Sequence, residues 1–216
     1  MRCLEIIFVS QPILINLPSR ITTPRLYLRP LTDADIVGCY AAVLESFDEM
    51  TQYYSPKWSR FDKAPPIEEI VKDVRTSQSD WAVRKRLEYG VFNSSDDVFI
   101  GLCALHHLDW NVPKGRIGYW VRTGMAGNGY ATEVANVLTG LAFDHLDFHK
   151  LEIRADKRNV GSRSIAQRLG FQYVALLEKN LRGKEGDLWD LEVYVRFNAQ
   201  ELSSLSIKYH YLYESS

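Results

Sequence analysis

Two glycines two positions apart, Gly127 and Gly129, separate the strand-like run Ile117-Gly118-Tyr119-Trp120-Val121-Arg122 from a helical run that begins Tyr130-Ala131-Thr132-Glu133. A strand that turns through glycines into a helix leaves several backbone N–H groups without partners and aims them outward at the positive end of the helix dipole. Such a turn binds phosphate or pyrophosphate. The spacing excludes two well-known anion loops, because there is no G-x-x-x-x-G-K-[ST] and no third glycine completes G-x-G-x-x-G. Its position late in the chain also argues against a dinucleotide fold, whose fingerprint opens the first βαβ unit. Glycines cap helices and relieve crowding too, so the pair alone does not decide the chemistry.

The flanking pattern supplies the architecture. Arg25 to Arg29 alternates polar and apolar residues, as do Arg116 to Arg122 and Lys150 to Asp156, the period of half-buried strands. Glu88 to Phe92 and the nearly all-apolar Val98 to Leu105 flank the turn-forming Asn93-Ser94-Ser95-Asp96, and the latter strand reads as central. Thr32 with Asp33 and Asp35 starts one helix and Pro66 with Glu68 and Glu69 another. After the glycines, Ala131, Val134, Ala135, Leu138, Leu141, Ala142 and His145 share one helical face, with Thr132, Glu133, Asn136 and Thr139 on the other. A short helix from Gly161 to Leu169 stops at Gly170, and strands over Phe171 to Glu178 and Leu188 to Arg196 close the pattern. Strand, helix and strand around the glycine turn form a crossover that makes two strands parallel, while sequential neighbours elsewhere form an antiparallel meander.

A chain of 216 residues suffices for one sizeable domain. Twenty-six Lys and Arg against 27 Asp and Glu give a net charge of -1, which offers no bulk attraction to nucleic acid or an anionic membrane. Cys3, Cys39 and Cys103 are too scattered for a disulfide framework or a metal site, which fits a reducing, cytoplasmic setting. The apolar opening Met1 to Val9 carries Glu5 and is followed by Pro12, so it is too short to span a bilayer. Residues 1–20 read as an arm or an extra strand, and 198–216 as a tyrosine-rich tail.

Asn159-Val160-Gly161-Ser162 before the short helix and Leu169-Gly170-Phe171 after it complete an ordered set. Together with Thr23-Pro24-Arg25-Leu26-x-Leu28-Arg29, Ile117 to Trp120 and Gly127 to Glu133, the set resembles the GNAT superfamily of N-acetyltransferases, in its RimJ/RimL-like, ribosomal-protein branch. The resemblance covers about residues 20 to 197. It implies an α/β (α+β) GNAT domain over 21–197, with a mixed, mostly antiparallel sheet of six to seven strands, splayed at the CoA site and flanked by helices. It implies acetyl-CoA as co-substrate, no metal, and a protein N-terminus or a small amine as acceptor, and it leaves a homodimer open. The pantetheine arm would pair along Trp120, Val121 and Arg122, and the pyrophosphate would meet the amides of Ala126, Gly127, Asn128, Gly129, Tyr130 and Ala131, with Thr132, Asn159 and Ser162 nearby.

The implied reaction is attack of a neutral amine on a thioester through an oxyanion, with a proton needed by the leaving thiolate. Where many family members carry a tyrosine as proton donor, this chain has Ala166. Ser162 is the candidate in its place, against the simpler reading that it caps the short helix, with Tyr173 a second choice. For the base, the branch's glutamate position holds Arg182, which leaves Asp190, His106, His107 and Glu133 acting through water, although Glu133 reads better as a helix-end or hydrogen-bonding carboxylate. The family's Arg or Gln at the loop is replaced by Ala126, which leaves phosphate binding to backbone amides. Residues 53–60, with Trp81 and Trp110, read as a wall on the acceptor side.

Overall fold

The computed structural model describes residues 11–53, 60–202 and 204–213. Its strands are β1 (Arg20–Thr22), β2 (Leu26–Arg29), β3 (Leu87–Asn93), β4 (Phe99–Asp109), β5 (Lys114–Val121), β6 (Lys150–Asp156), β7 (Gln172–Arg182), β8 (Leu188–Arg196) and β9 (Lys208–His210). Among the described residues, four α-helices accompany them: α1 (Ile36–Tyr53), α2 (Ile67–Ala82), α3 (Tyr130–Gly140) and α4 (Val160–Arg168).

All nine strands join one sheet in the order β7-β8-β6-β5-β4-β3-β2-β1-β9. That is two more than the sequence pattern predicts. The additions are three-residue strands: β1 pairs with β2, and β9 from the tail pairs antiparallel with the free edge of β1. Strands so short carry too little periodicity to be read from sequence, and they are ordered by the neighbouring edge whose N–H and C=O groups they satisfy.

The crossover through α3 makes β5 and β6 the parallel pair. Their ladder runs from Lys114 to Ile117 against Lys150 to Ile153, although β5 continues to Val121 and β6 to Asp156. Beyond Ile117, β5 remains bonded to β4 as far as Val121, and β6 remains bonded to β8 as far as Asp156. The sheet therefore opens between two intact halves, and the β6-facing edge of Gly118 to Val121 is left without a strand partner.

Helices α1 and α2 cover one face of the sheet over Tyr27, Phe92 and Phe99, and α3 covers the other through Val134, Val137, Leu138 and Leu141. The polar side of α3 is buried as well: Glu133, Asn136 and Thr139 are all inside. Thr139 satisfies its hydroxyl by donating to the Ala135 carbonyl at 2.7 Å. Such a helix, enclosed all round, holds the glycine turn on a fixed support.

Candidate active site

The turn enters α3 with Gly127 and Gly129 both at φ +79°, a left-handed conformation that an L side chain adopts only with strain. A Cβ on Gly127 would meet nothing within 4 Å, so the space above the turn is open. The Ala126 amide is already bonded to the Thr123 carbonyl at 3.0 Å. Among the described residues, the amides of Gly127 to Thr132 have no such partner. The unpartnered donors thus begin one residue later than the sequence suggests and end one residue later, at the positive end of α3. Asn128 folds its side chain back, donating to the carbonyls of Met125 and Ala126 at 3.1 and 3.3 Å, which fixes the turn from within.

Under the turn lies a buried carboxylate. Glu133 accepts from Thr23 Oγ1 at 2.5 Å and from Arg25 Nε at 2.8 Å, with a second ion-pair bond from Arg25 Nη2. Arg25 also donates through Nη1 to the Asn128 carbonyl at 3.0 Å and lies over the Tyr130 ring. Glu133 is thus a structural carboxylate and not a base facing the opening, and the start of β2 is tied to the turn. On the other side Arg122 turns its guanidinium to Glu45 of α1, whose Oε1 accepts from the Gly124 amide at 2.6 Å. The Arg122 hydrogen bond holds the Glu45 carboxyl below its ordinary range.

Across the opening stands α4. Its N-cap is Asn159, whose side-chain oxygen accepts from the Ser162 amide at 2.9 Å. The capping role proposed for Ser162 therefore belongs to Asn159. Ser162 Oγ is free to meet Tyr119 Oη at 3.1 Å, from β5, at the point where β5 and β6 part. Burial pushes the Tyr119 phenol up to about 12, against a smaller opposing effect of the Ser162 hydrogen bond. Sequence reading missed Tyr119, although its place two residues after Ile117 puts it on the α3 face with the buried side chains. Ala166 is fully buried in the core beneath α4.

On the opposite face of the sheet, a cavity of about 430 Å³ runs between α1, α2 and strands β3 to β5. Leu31, Val43, Met50, Ile70 and Val74 supply its apolar wall. Asp73, Asp80, Arg86 and Glu88 supply its charge, and Gly118, Tyr119 and Trp120 carry it to the edge of the opening. His106 and His107 line it as well, with their Nδ1 atoms 2.7 Å apart, so one ring donates to the other. His106 Nε2 lies over β5, where a Cβ on Gly118 would come within 3.1 Å of it. Burial, then the charges of Arg86, His107, Arg116 and Arg154, pushes His106 down to about 3, and burial with Arg116 and Arg154 lowers His107. The His106 imidazole is therefore neutral at physiological pH. His107 has φ +51° at an irregularity in the β4–β5 ladder, and the bulge turns consecutive histidines toward one cavity.

The remaining predicted residues sit elsewhere. Tyr173 is 56% exposed on outermost β7, packed against Tyr194. Asp190 accepts from Lys157 Nζ at 2.7 Å and from the Lys179 amide at 2.8 Å, which hold its carboxyl below the ordinary range. Neither bonds to the Tyr119–Ser162 pair. Arg182 donates to the Gly186 carbonyl within its own hairpin. Trp81 packs edge-on against Tyr89, and Trp110 packs against Phe148 while donating to the Arg84 carbonyl, so neither walls the cavity as predicted. Most of the predicted aromatic loop, residues 54–59, and the arm at 1–10 lie outside the described residues. Among the described residues, no cluster of His, Cys, Asp or Glu has the makings of a metal site, and no helix is long and apolar enough to cross a membrane.

Residues 25–172 match the acetyltransferase (GNAT) domain family. The putative ribosomal N-acetyltransferase YdaF of Bacillus subtilis (strain 168) is 30% identical over 121 residues, 53% of this chain and 63% of that protein. In fold, the chain is similar to RimL, a ribosomal L7/L12 α-N-protein acetyltransferase solved with coenzyme A, with a TM-score of 0.74 at 18% identity, over 86% of this chain and 99% of the other. It is similar too to the microcin C7 self-immunity acetyltransferase MccE, solved with acetyl-CoA and AMP, with a TM-score of 0.73 at 20% identity, over 81% and 93%. The chain thus belongs to the acetyltransferase (GNAT) domain family, whose members are acyl-CoA-dependent N-acetyltransferases.

Proposed function

We propose that this acetyltransferase acts on a protein N-terminal α-amino group of the ribosomal-protein type, in the cytoplasm, by direct attack in a ternary complex. The observation that carries the reading is the cavity reaching Gly118, Tyr119 and Trp120 from the face opposite α3. An amine entering there meets the opened strand edge from one side while the acyl donor occupies the other. The RimL and YdaF names support the acceptor class.

The amides of Gly127 to Thr132 hold the pyrophosphate, and the open edge of Trp120, Val121 and Arg122 pairs with the pantetheine amides. Asn159 orders the first turn of α4 and so aims Ser162. Ser162 delivers the proton to the departing sulfur, and Tyr119, a neutral phenol throughout the working range, replenishes it through the 3.1 Å bond. On the amine side, His106 donates from Nδ1 to His107 and keeps the Nε2 lone pair over Gly118, where it accepts a hydrogen bond from the amine. An α-amino group, with an ordinary pKa near ~8, supplies its own neutral fraction, and the proton its nitrogen sheds after attack passes to solvent water, from which Tyr119 regains the proton it gave. Tyr173 and Asp190 act only as support of β7 and β8 in this scheme.

A small amine is the second reading. Asp73, Asp80 and Glu88 in the cavity wall favour a cationic acceptor, and MccE is an immunity enzyme with a nucleotide bound. Acetyl-CoA turnover against N-terminal peptides and against polyamines, amino acids and aminoglycosides separates the two. Turnover with peptides alone supports the proposal, turnover with small amines alone replaces it, and CoA binding without any product would reduce the chain to an acyl-CoA-binding module.

A further inference from the structure

From Gly124 to Thr132 the turn carries no charged side chain. The Arg25 charge beneath it is engaged by Glu133, and that of Arg122 by Glu45. A third arginine is placed differently. Arg168, in the last turn of α4, donates through Nη1 to Thr132 Oγ1 at 3.0 Å, which brings its guanidinium to the first turn of α3. Arg168 is exposed, and among the described residues no carboxylate pairs with it. A guanidinium has five N–H donors in a planar fork, and one bond to a hydroxyl leaves the others available.

We infer that Arg168 is the phosphate-selecting residue of the acyl-CoA site, binding a phosphate group of the cofactor jointly with the amides of Gly127 to Thr132. The inference rests on the acyl-CoA reading of the turn, not on the acceptor. Amides and a helix end offer partial charges, whereas a desolvated anion gains most from a full charge with matching geometry. The turn lacks one of its own, and α4 brings it from 36 residues away. The phosphate is either the pyrophosphate or the 3′-phosphate, which share this chemistry.

The test is calorimetric titration of the full chain and its Arg168→Ala and Arg168→Lys variants with CoA and with dephospho-CoA, alongside turnover of S-acetylpantetheine, which lacks both groups. Arg168→Ala should weaken CoA about tenfold, with Arg168→Lys recovering part of the loss, and leave the KM for S-acetylpantetheine unchanged. Equal weakening of CoA and dephospho-CoA assigns the pyrophosphate, and weakening of CoA alone assigns the 3′-phosphate. CoA affinity within about twofold of the parent overturns the inference. So does a matching loss with S-acetylpantetheine, which would mark a packing role. Failure of the parent chain to bind CoA would instead sink the acyl-CoA reading itself.

Discussion

At the scale of single residues, what decides the chemistry is which side chains meet across long stretches of sequence. Ser162 was legible as a candidate because the ribosomal-protein branch that the sequence resembles places a serine there, yet its partner Tyr119 lies 43 positions earlier and only the folded sheet unites them. Because Asn159 already caps α4, Ser162→Ala should leave the helix and CoA affinity within about twofold while kcat falls about 10²-fold, and Tyr119→Phe should give a smaller loss of the same kind. Equal losses in affinity and turnover would return Ser162 to a packing role. The Arg25–Glu133 pair was half legible: Glu133 read as a bonded carboxylate, but nothing in the local sequence names an arginine 108 positions away. Arg25→Ala leaves a buried carboxylate facing the turn and should cost about 1–3 kcal/mol in urea unfolding, with much of it restored in Arg25→Met with Glu133→Gln. His106 carries the pH dependence. Its folded value near 3 lies below the ordinary 6.5, so below pH 6.5 the unfolded chain binds the extra proton. The contribution is complete above pH 6.5 and is lost as pH falls toward 3. Urea midpoints for the parent should therefore fall more steeply between pH 7 and 4.5 than those of His106→Gln, and parallel curves would contradict the burial of this imidazole.

At the scale of elements, the strand–glycine–helix unit was readable because each part has a local cause. Alternation marks β5, the glycines mark left-handed turns, and the 3.6 period marks α3. The depth to which α3 is enclosed was not readable, since burial of Glu133, Asn136 and Thr139 depends on neighbours supplied by tertiary packing. Trp81 and Trp110 were misplaced for the same reason: they read as part of an acceptor-side wall, while their rings found Tyr89 and Phe148. At the turn, Gly127→Ala tests backbone conformation without a steric clash, because the new methyl would point into open space. The cost should be about 1–2 kcal/mol of strain at φ +79°, seen as lower stability or as a turn that shifts to relieve it. In either case CoA affinity should drop several-fold by titration, because the same φ angle aims the amides; unchanged affinity and stability together would mean the turn does not need this conformation.

For the whole molecule, the sheet divides the work: it opens between β5 and β6, where the proposed acyl-donor side lies, while the strand of the tail pairs at the opposite edge. Residues 198–216 read only as a tyrosine-rich tail because their strand is three residues long, and its order comes from β1. There β9 pairs Lys208, Tyr209 and His210 with Thr22, Ile21 and Arg20. Leu205, Ile207 and Tyr209 pack against the main core, Tyr209 stacks 4.0 Å from the His145 ring, and Tyr211 Oη lies 3.0 Å from His145 Nδ1. This strap covers the end of α3 opposite the glycine turn, since His145 ends the π-helical turn that follows Gly140. Removing residues 203–216 would take away the burial that Leu205, Ile207 and Tyr209 contribute against the main core, at about 1 kcal/mol each, and should lower stability by about 3 kcal/mol. For a chain of this size that corresponds to a fall in Tm of roughly 6–12 °C by calorimetry. Among the described residues, no hydrogen bond joins the strap to the amides of Gly127 to Thr132 or to the Tyr119–Ser162 pair, so CoA affinity at 20 °C should stay within about twofold. Loss of binding at a temperature where the shortened chain is still folded would show instead that the strap sets the position of α3, and through it the turn.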